Sequence, residues 1–371
     1  MEELFPDEKE CFAREVVSPL LLWFAGHGKP LPWRNAPTPY RVWISEIMLQ
    51  QTRTAAVIPY YERFLAELPD VPSLATVSDD RLLKLWEGLG YYSRARNLKR
   101  AANRLLAEYD GALPRDVDAL RALPGIGAYT AGAIASIAFG LPEPAVDGNV
   151  LRVLTRYYAS GADISAEKTK RQVADYLRAR YPSGEDAGHF TEALMQLGEN
   201  VCIPNGEAGC YTCPLGKTCR ARAGHIVSLF PARPPKKPRR IEERTVFLCR
   251  VGDAYLIRRR AESGLLAGLY EYPSVVGTLG ESEASDALRA LGISPVRKMP
   301  VGQAVHIFTH VEWRMTGLLV ECESVPSGFI AAHPSELCDV YAIPTAFRHF
   351  TDFIMKTQEN VNNSCDTEEK S

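Results

Sequence analysis

The stretch FPARPPKKPRR, residues 230–240, packs four prolines and five basic residues into eleven positions. Proline lacks a backbone N–H and fixes φ, so this segment can be neither helix interior nor central strand. It must run extended, and it divides the chain. Before it, from about residue 7 to 200, apolar residues recur at helical spacing and strand-like alternation is scarce. The periodicity predicts helices over 8–26, 39–51, 52–67, 79–87, 91–109, 116–122, 127–139, 148–158, 167–180 and 187–199. After it, RTVFLCR (244–250), AYLIRRR (254–260), 303–309 and 311–322 read as strands, with helices over 283–291 and 344–354. A chain of 371 residues suits two such domains, one all-α and one smaller α+β. The polar tail after Lys356 is expected to lack structure.

Net charge is −2, so there is no global basic signature, and any nucleic-acid footprint has to be local. The opening MEELFPDEKE has no basic n-region, and the apolar run Leu20–Phe24 is far too short to span a membrane. The expectation is a cytoplasmic protein. Of nine cysteines, Cys202, Cys210, Cys213 and Cys219 fall within eighteen residues. In that compartment a cluster points to metal rather than disulfides. An all-cysteine set of four suits either zinc or an iron–sulfur cluster. Zinc sites use two Cys-x2-Cys hooks, and here only Cys210 and Cys213 are so spaced; irregular gaps suit a cubane.

In LPGIGAYTA, residues 123–131, a Gly-x-Gly turn precedes a helix. A dinucleotide site would need a preceding strand and glycine at position 130, which is Thr. DVDALRAL before it reads as a helix, so the element is helix, glycine hairpin, helix. Free N–H groups at the second helix start suit one backbone phosphate; a plain interhelical turn is the other reading. Upstream, YYSRARNLKRAANR (91–104) carries five basic residues and no acid, with two tyrosines at its entrance. Cations for phosphates and a ring for wedging between bases fit a duplex-probing element.

Two carboxylates have unusual settings. Glu46 is the single acid in YRVWISEIMLQQT (40–52). Either it turns to solvent, or burial keeps it partly protonated, which makes a general acid near neutral pH. Asp147, in PEPAVDGNVLRVL, stands where a helix begins, a favoured N-cap position. A protonated acid paired with an ionised carboxylate is the kit for cleaving a bond to an anomeric carbon.

Together, LPWR, SEIMLQQTR, GLGYYSRARNL, LPGIGAYTAGAI, PAVDGNVLRVL, FTEALMQLG and the four cysteines resemble the MutY-type adenine glycosylases of the helix-hairpin-helix superfamily, which includes endonuclease III. The resemblance spans about residues 8–355. It implies an all-α helix-hairpin-helix glycosylase domain with an iron–sulfur cluster loop (1–224, loop 202–219), a basic linker (225–243) and a smaller α+β Nudix-like domain (244–356). The activity implied is hydrolysis of the N-glycosidic bond of adenine opposite 8-oxoguanine or guanine in double-stranded DNA, by a monomer working on the nucleoid.

Glu46 matches the acid that protonates adenine, and Asp147 the carboxylate that stabilises or captures the oxocarbenium ion. Tyr129 and Asn149 match residues lining the sugar and base, and Arg34 and Glu192 residues around the flipped base. Gln51 and Tyr91 match stack-penetrating residues, with Thr52 and Leu89 beside the opposing base. Gly125 and Gly127 form the hairpin. Cys202, Cys210, Cys213 and Cys219 match ligands of a [4Fe–4S] cluster. The first cysteine gap is seven residues where the family has six, so one loop residue is expected to bulge out.

Lyases of the superfamily carry lysine at the hairpin-helix position held here by Tyr129, which cannot form a Schiff base; the alternatives are a bifunctional endonuclease III-like pyrimidine glycosylase and lyase using a distant lysine, or a DNA-damage sensor without catalysis. GLLAGLYEYPSV (264–275) and HIFTHVEW (306–313) carry the Nudix-like match, with Phe308, Thr309 and His310 where the family contacts 8-oxoguanine. ESEASDALRALG lacks the acidic box that holds Mg²⁺ in Nudix hydrolases, which implies a lesion reader.

Overall fold

The computed structural model describes Phe5, residues 8–234 and residues 238–368. They form two compact units, one from Met1–Thr76 and Asn97–Lys236, the other from Val77–Arg96 and Lys237–Ser371. The segment 77–96, expected in the helical domain, belongs by its contacts to the second unit. There the Lys84 ammonium donates to the Tyr341 carbonyl at 3.1 Å, Ile343 N–H to Glu87 at 2.8 Å and Arg96 to the Ala267 carbonyl at 2.7 Å.

The first unit is all-α. Its helices include Pro39–Leu49, Thr54–Glu67, Val117–Ala122, Gly148–Tyr158, Glu167–Arg178 and Glu185–Asn200, close to the ranges expected from periodicity. Val71–Thr76, too short to register as a period, was not foreseen. In Gly148–Tyr158 every residue from Val150 onward is buried. Its polar members Arg152, Thr155 and Arg156 are buried with hydrogen-bond partners, as interior polar groups require.

The helix-hairpin-helix reading holds locally. Val117–Ala122 is followed by a tight turn and by Ala128–Ala133, which continues as a π turn over Ile134–Ala138. Gly125 has φ +79°, and a Cβ there would stand 2.7 Å from Asn97 Cβ, so only glycine fits. Gly127 has ordinary extended backbone and open space at its Cβ position. Among the described residues nothing in the packing demands glycine at 127.

The second unit holds a seven-stranded sheet: β1 (Arg240–Val251), β2 (Ala254–Arg259), β3 (Tyr270–Glu271), β4 (Ser274–Val276), β5 (Pro295–Ile307), β6 (Val311–Cys322) and β7 (Ile330–Ala332). The order is β3-β2-β1-β6-β5, with β4 pairing β1 and β7 pairing β2. Both faces are covered. Val246 and Leu248 pack with Trp313, Phe347 and Phe350, while Phe247 and Cys249 pack with Ala284 and Leu288. That double burial is why β1 reads as an unbroken apolar run rather than an alternating one.

Two boundaries differ from expectation. β1 begins at Arg240, inside the expected linker, because Arg240–Arg250 pairs in parallel with Val311–Glu321. The tail does not lose structure at 357: the last helix runs Arg348–Glu368, since nothing in that stretch is Gly or Pro and a formed helix propagates cheaply. Among the described residues no helix is long and apolar enough to cross a membrane.

Candidate active site

The helix Pro39–Leu49 carries Glu46 inward, where it is 4% exposed. Burial pushes its carboxyl up to about 7, against the pull of a hydrogen bond from Tyr129, whose hydroxyl donates to Glu46 Oε2 at 2.6 Å. The solvent-facing alternative for Glu46 is therefore excluded.

Asp147 is the N-cap of Gly148–Tyr158: its Oδ1 accepts from Val150 N–H at 2.7 Å and its Oδ2 from the Asn149 amide at 2.7 Å. Burial raises its pKa although these hydrogen bonds favour the anion. The same residue caps a helix and lines a cavity.

Two close approaches set this geometry. A Cβ on Gly132 would drive into the Pro144 carbonyl oxygen, so glycine lets the Pro144–Asp147 segment lie on the hairpin helix that presents Tyr129. A Cβ on Gly198 would stand 2.5 Å from Asn149 Cβ, so glycine also seats Asn149 against Glu185–Asn200. The cavity so formed, about 730 Å³, is lined by Arg34, Glu46, Thr52, Tyr129, Asp147, Asn149 and Glu192, all foreseen from sequence.

Arg34 donates to Glu192 at 2.8 Å and to Gln196 at 2.6 Å. Lys29, Met195 and Gln196 also line the wall and were missed. Gln196 carried a signal: it is a polar residue on the buried face of an amphipathic helix, 4% exposed. Asn149 Oδ1 in turn accepts from Arg152 at 2.7 Å, and Arg152 Nε donates to the Cys202 carbonyl at 2.7 Å.

Gln51 in the first unit and Tyr91 in the second are exposed non-glycine residues at positive φ, 59° and 48°. Exposed Ala36, Asp110 and His225 share the positive φ, so the conformation alone does not single these two out. Tyr91 Oη lies 2.5 Å from Thr309 Oγ1, and both line a cavity of about 1090 Å³ with Phe308 and His310. Thr309 and His310 are exposed in the β5–β6 turn, so His310 is not a packed core histidine. Phe308 is half-buried against Trp313, with ring centroids 5.0 Å apart. Leu89 is buried.

The basic helix is less of a phosphate comb than its sequence implied. Arg94 is buried and donates to the Leu89 and Gly90 carbonyls at 3.1 Å. Arg96 is taken by Ala267, and Arg104 by Glu108 and the Ala122 carbonyl. Those cations fix the fold of Gly88–Tyr91 and the hairpin.

Cys202, Cys210, Cys213 and Cys219 ring one cavity of about 310 Å³, with Arg156 and Arg222 on its wall. Among the described residues no group of three His, Cys, Asp or Glu could hold a single metal ion. Four thiols around one cavity are a donor set that either zinc or an iron–sulfur cluster accepts. The surplus residue of the first gap lies outward: Pro204–Glu207 is exposed, and Gly209 N–H closes the loop on the Val201 carbonyl at 2.8 Å.

Residues 44–179 match the HhH-GPD superfamily of base excision DNA repair proteins, and residues 245–352 match the NUDIX domain. The chain is 35% identical to an adenine DNA glycosylase of Mus musculus over 83% of this chain and 70% of the relative. It is 35% identical to that of Homo sapiens over 88% of this chain and 71% of the relative. Among solved structures, a thermostable thymine-DNA glycosylase aligns with a TM-score of 0.53 at 26% identity, over 59% of this chain and 100% of that one. A trapped endonuclease III–DNA covalent intermediate aligns at 0.50 and 25% identity, over 59% and 99%.

Proposed function

This chain belongs to the adenine DNA glycosylase family and is a base-excision repair hydrolase; from that premise we propose that it removes adenine mispaired with 8-oxoguanine or guanine, leaving an uncleaved abasic strand. The observation that carries the reading is one cavity holding Glu46, pushed up to about 7 by burial, together with Asp147.

Adenine flips out of the duplex into this cavity, at an unstacking cost of a few kcal/mol. Tyr129 occupies Glu46 Oε2, so the transferable proton belongs on Oε1. Glu46 gives that proton to a ring nitrogen, and the base departs neutral. Asp147 meets the cationic sugar, and Asn149 holds its Oδ2 in place. Arg34, tied to Glu192 and Gln196, frames the base. Water completes the abasic site. Lys29, the lysine on the wall, has its ammonium held by Asn200 at 2.7 Å, and Tyr129 offers no amine, so no Schiff base forms efficiently.

Gly127, with open space at its Cβ position, lets a phosphate approach the hairpin N–H groups. Gln51, next to Thr52 in the chain, and Tyr91, two residues after the buried Leu89, each enter the stack, and the protein acts as a monomer. Phe308, Thr309 and His310 read 8-oxoguanine. In Glu281–Ala290, Glu283 caps Gly280 N–H and Asp286 pairs with Arg289, so two of its three acids are engaged within the helix rather than free for Mg²⁺. Cys202, Cys210, Cys213 and Cys219 would hold a [4Fe–4S] cluster, which would brace their loop.

The test offers the purified protein duplexes carrying A:8-oxoguanine, A:G or thymine glycol. Adenine release from the first two, with strand scission only after alkali, is expected. Release confined to the thymine glycol duplex overturns the reading.

A further inference from the structure

A second cleft, of about 1350 Å³, backs onto the base cavity and shares two of its walls, Tyr129 and Asp147. Neither Glu46 nor Arg34 reaches it; Arg171, Arg178, Lys170 and Arg233 line it instead. Its ion pairs leave a positive remainder. Arg178 is held by Glu143 at 2.7 Å, and Lys170 by Glu167 at 2.6 Å. Arg171 and Arg233 are exposed and have no ion pair or hydrogen bond among the described residues. Between them the floor is apolar, built from Val146, Leu151 and Ile164.

Arg233 is not adrift in a linker. Ile164 N–H donates to the Ala232 carbonyl at 3.4 Å, and Arg156 Nε to the Phe230 carbonyl at 3.0 Å, which pins the start of the proline-rich segment to the helical unit.

We propose that the backbone of the damaged strand runs through this cleft, with Arg171 and Arg233 binding phosphates next to the nucleotide whose base is removed. The proposal rests on the glycosylase reading above. A base in the first cavity puts its sugar at Asp147, and the attached phosphates must then leave on the far side of that residue. An apolar floor for deoxyribose between two unpaired guanidinium groups matches that chain of sugars and anions, and such contacts position DNA without reading its sequence.

The experiment compares the full-length wild type with Arg171→Ala/Arg233→Ala, and with Arg14→Ala/Arg289→Ala as a charge-matched control. Affinity for an A:8-oxoguanine duplex is measured against salt. The expected result is a loss of about tenfold or more at 0.1 M salt, and a salt slope shallower by about 2, in the first variant only. Methylphosphonates are then scanned through the strand. Those beside the target adenosine should weaken wild type yet add nothing in the Arg171/Arg233 variant. Unchanged affinity and slope, or additive losses at every position, overturns the proposal. Should the alanine variant melt early, Arg171→Gln/Arg233→Gln replaces it. Adenine release by wild type from the same duplex separates the two failures: no release sinks the glycosylase reading, whereas release with unaltered variant binding sinks only the cleft.

Discussion

Glu46 sits among Ile44, Ile47 and Met48, all buried, and its carboxylate accepts a hydrogen bond from Tyr129. The acid was legible because a lone carboxylate in an apolar helical run is costly to ionise. What the sequence withheld was which way the helix faced. Packing decided that, and with it the partner on Tyr129. A folded-state pKa near 7, above the ordinary 4.5, makes Glu46 stabilising only while protonated. Its contribution is whole below the unfolded value and is lost as pH rises toward and through about 7. Thermal melts from pH 4 to 8 should therefore show Glu46→Gln gaining on wild type as pH rises, by roughly 3 kcal/mol at the alkaline end. A constant difference across that range would mean that Glu46 is not shifted. Asp147 teaches the opposite lesson: the N-cap reading holds, one carboxylate oxygen serving Val150 and the other Asn149, and the same side chain lines the cavity with Glu46.

At the level of the element, the hairpin separates two kinds of glycine. Gly132 is required by the Pro144 carbonyl, whereas among the described residues nothing crowds a Cβ at Gly127. Gly132→Ala should cost about 1–3 kcal/mol by overpacking and slow base release, since it lifts Asp147 away from Tyr129. Gly127→Ala should leave stability within about 0.5 kcal/mol of wild type and weaken duplex binding. Calorimetry and a binding titration on both variants check the pair, and equal stability losses would contradict it. The Gly-x-Gly pattern was visible in the sequence, but the spacing could not reveal which glycine answered to the fold and which to a ligand. Helix positions were legible from the 3.6-residue period. The short elements Val71–Thr76, β3, β4 and β7 were not, because two to six residues set no period and depend on pairing from elsewhere in the chain. The basic helix misled for a related reason: charge was readable, but whether Arg94 turned to a phosphate or to the Leu89 carbonyl was a matter of tertiary contact.

For the molecule as a whole, the composition break at 230–240 contains the boundary between the two units, yet 77–96 joins the second by contacts distant in sequence. Lys84, Glu87 and Arg96 hold Tyr341, Ile343 and Ala267 through hydrogen bonds that no local pattern announces. A chain cut after residue 236 should thus lose amide-exchange protection across 77–96 while the helix Gly148–Tyr158 keeps its own. Uniform protection in the cut chain would contradict the partition. The cysteine loop is tied in as well, since Arg152 and Arg156 donate to the Cys202 and Ile203 carbonyls. Cys213→Ser should therefore lower iron content and melting temperature together, as judged by metal analysis and calorimetry. Full iron content in that variant would remove Cys213 from the ligand set.

The most direct test is the single-turnover rate of adenine release from an A:8-oxoguanine duplex, followed against pH for wild type and Glu46→Gln. The buried acid should give wild type a rate that falls about tenfold per pH unit above roughly pH 7, and the variant should lie about 10²–10⁴-fold lower with duplex binding intact. A wild-type rate still level at about pH 9, or a variant within threefold of it, would contradict proton donation by Glu46.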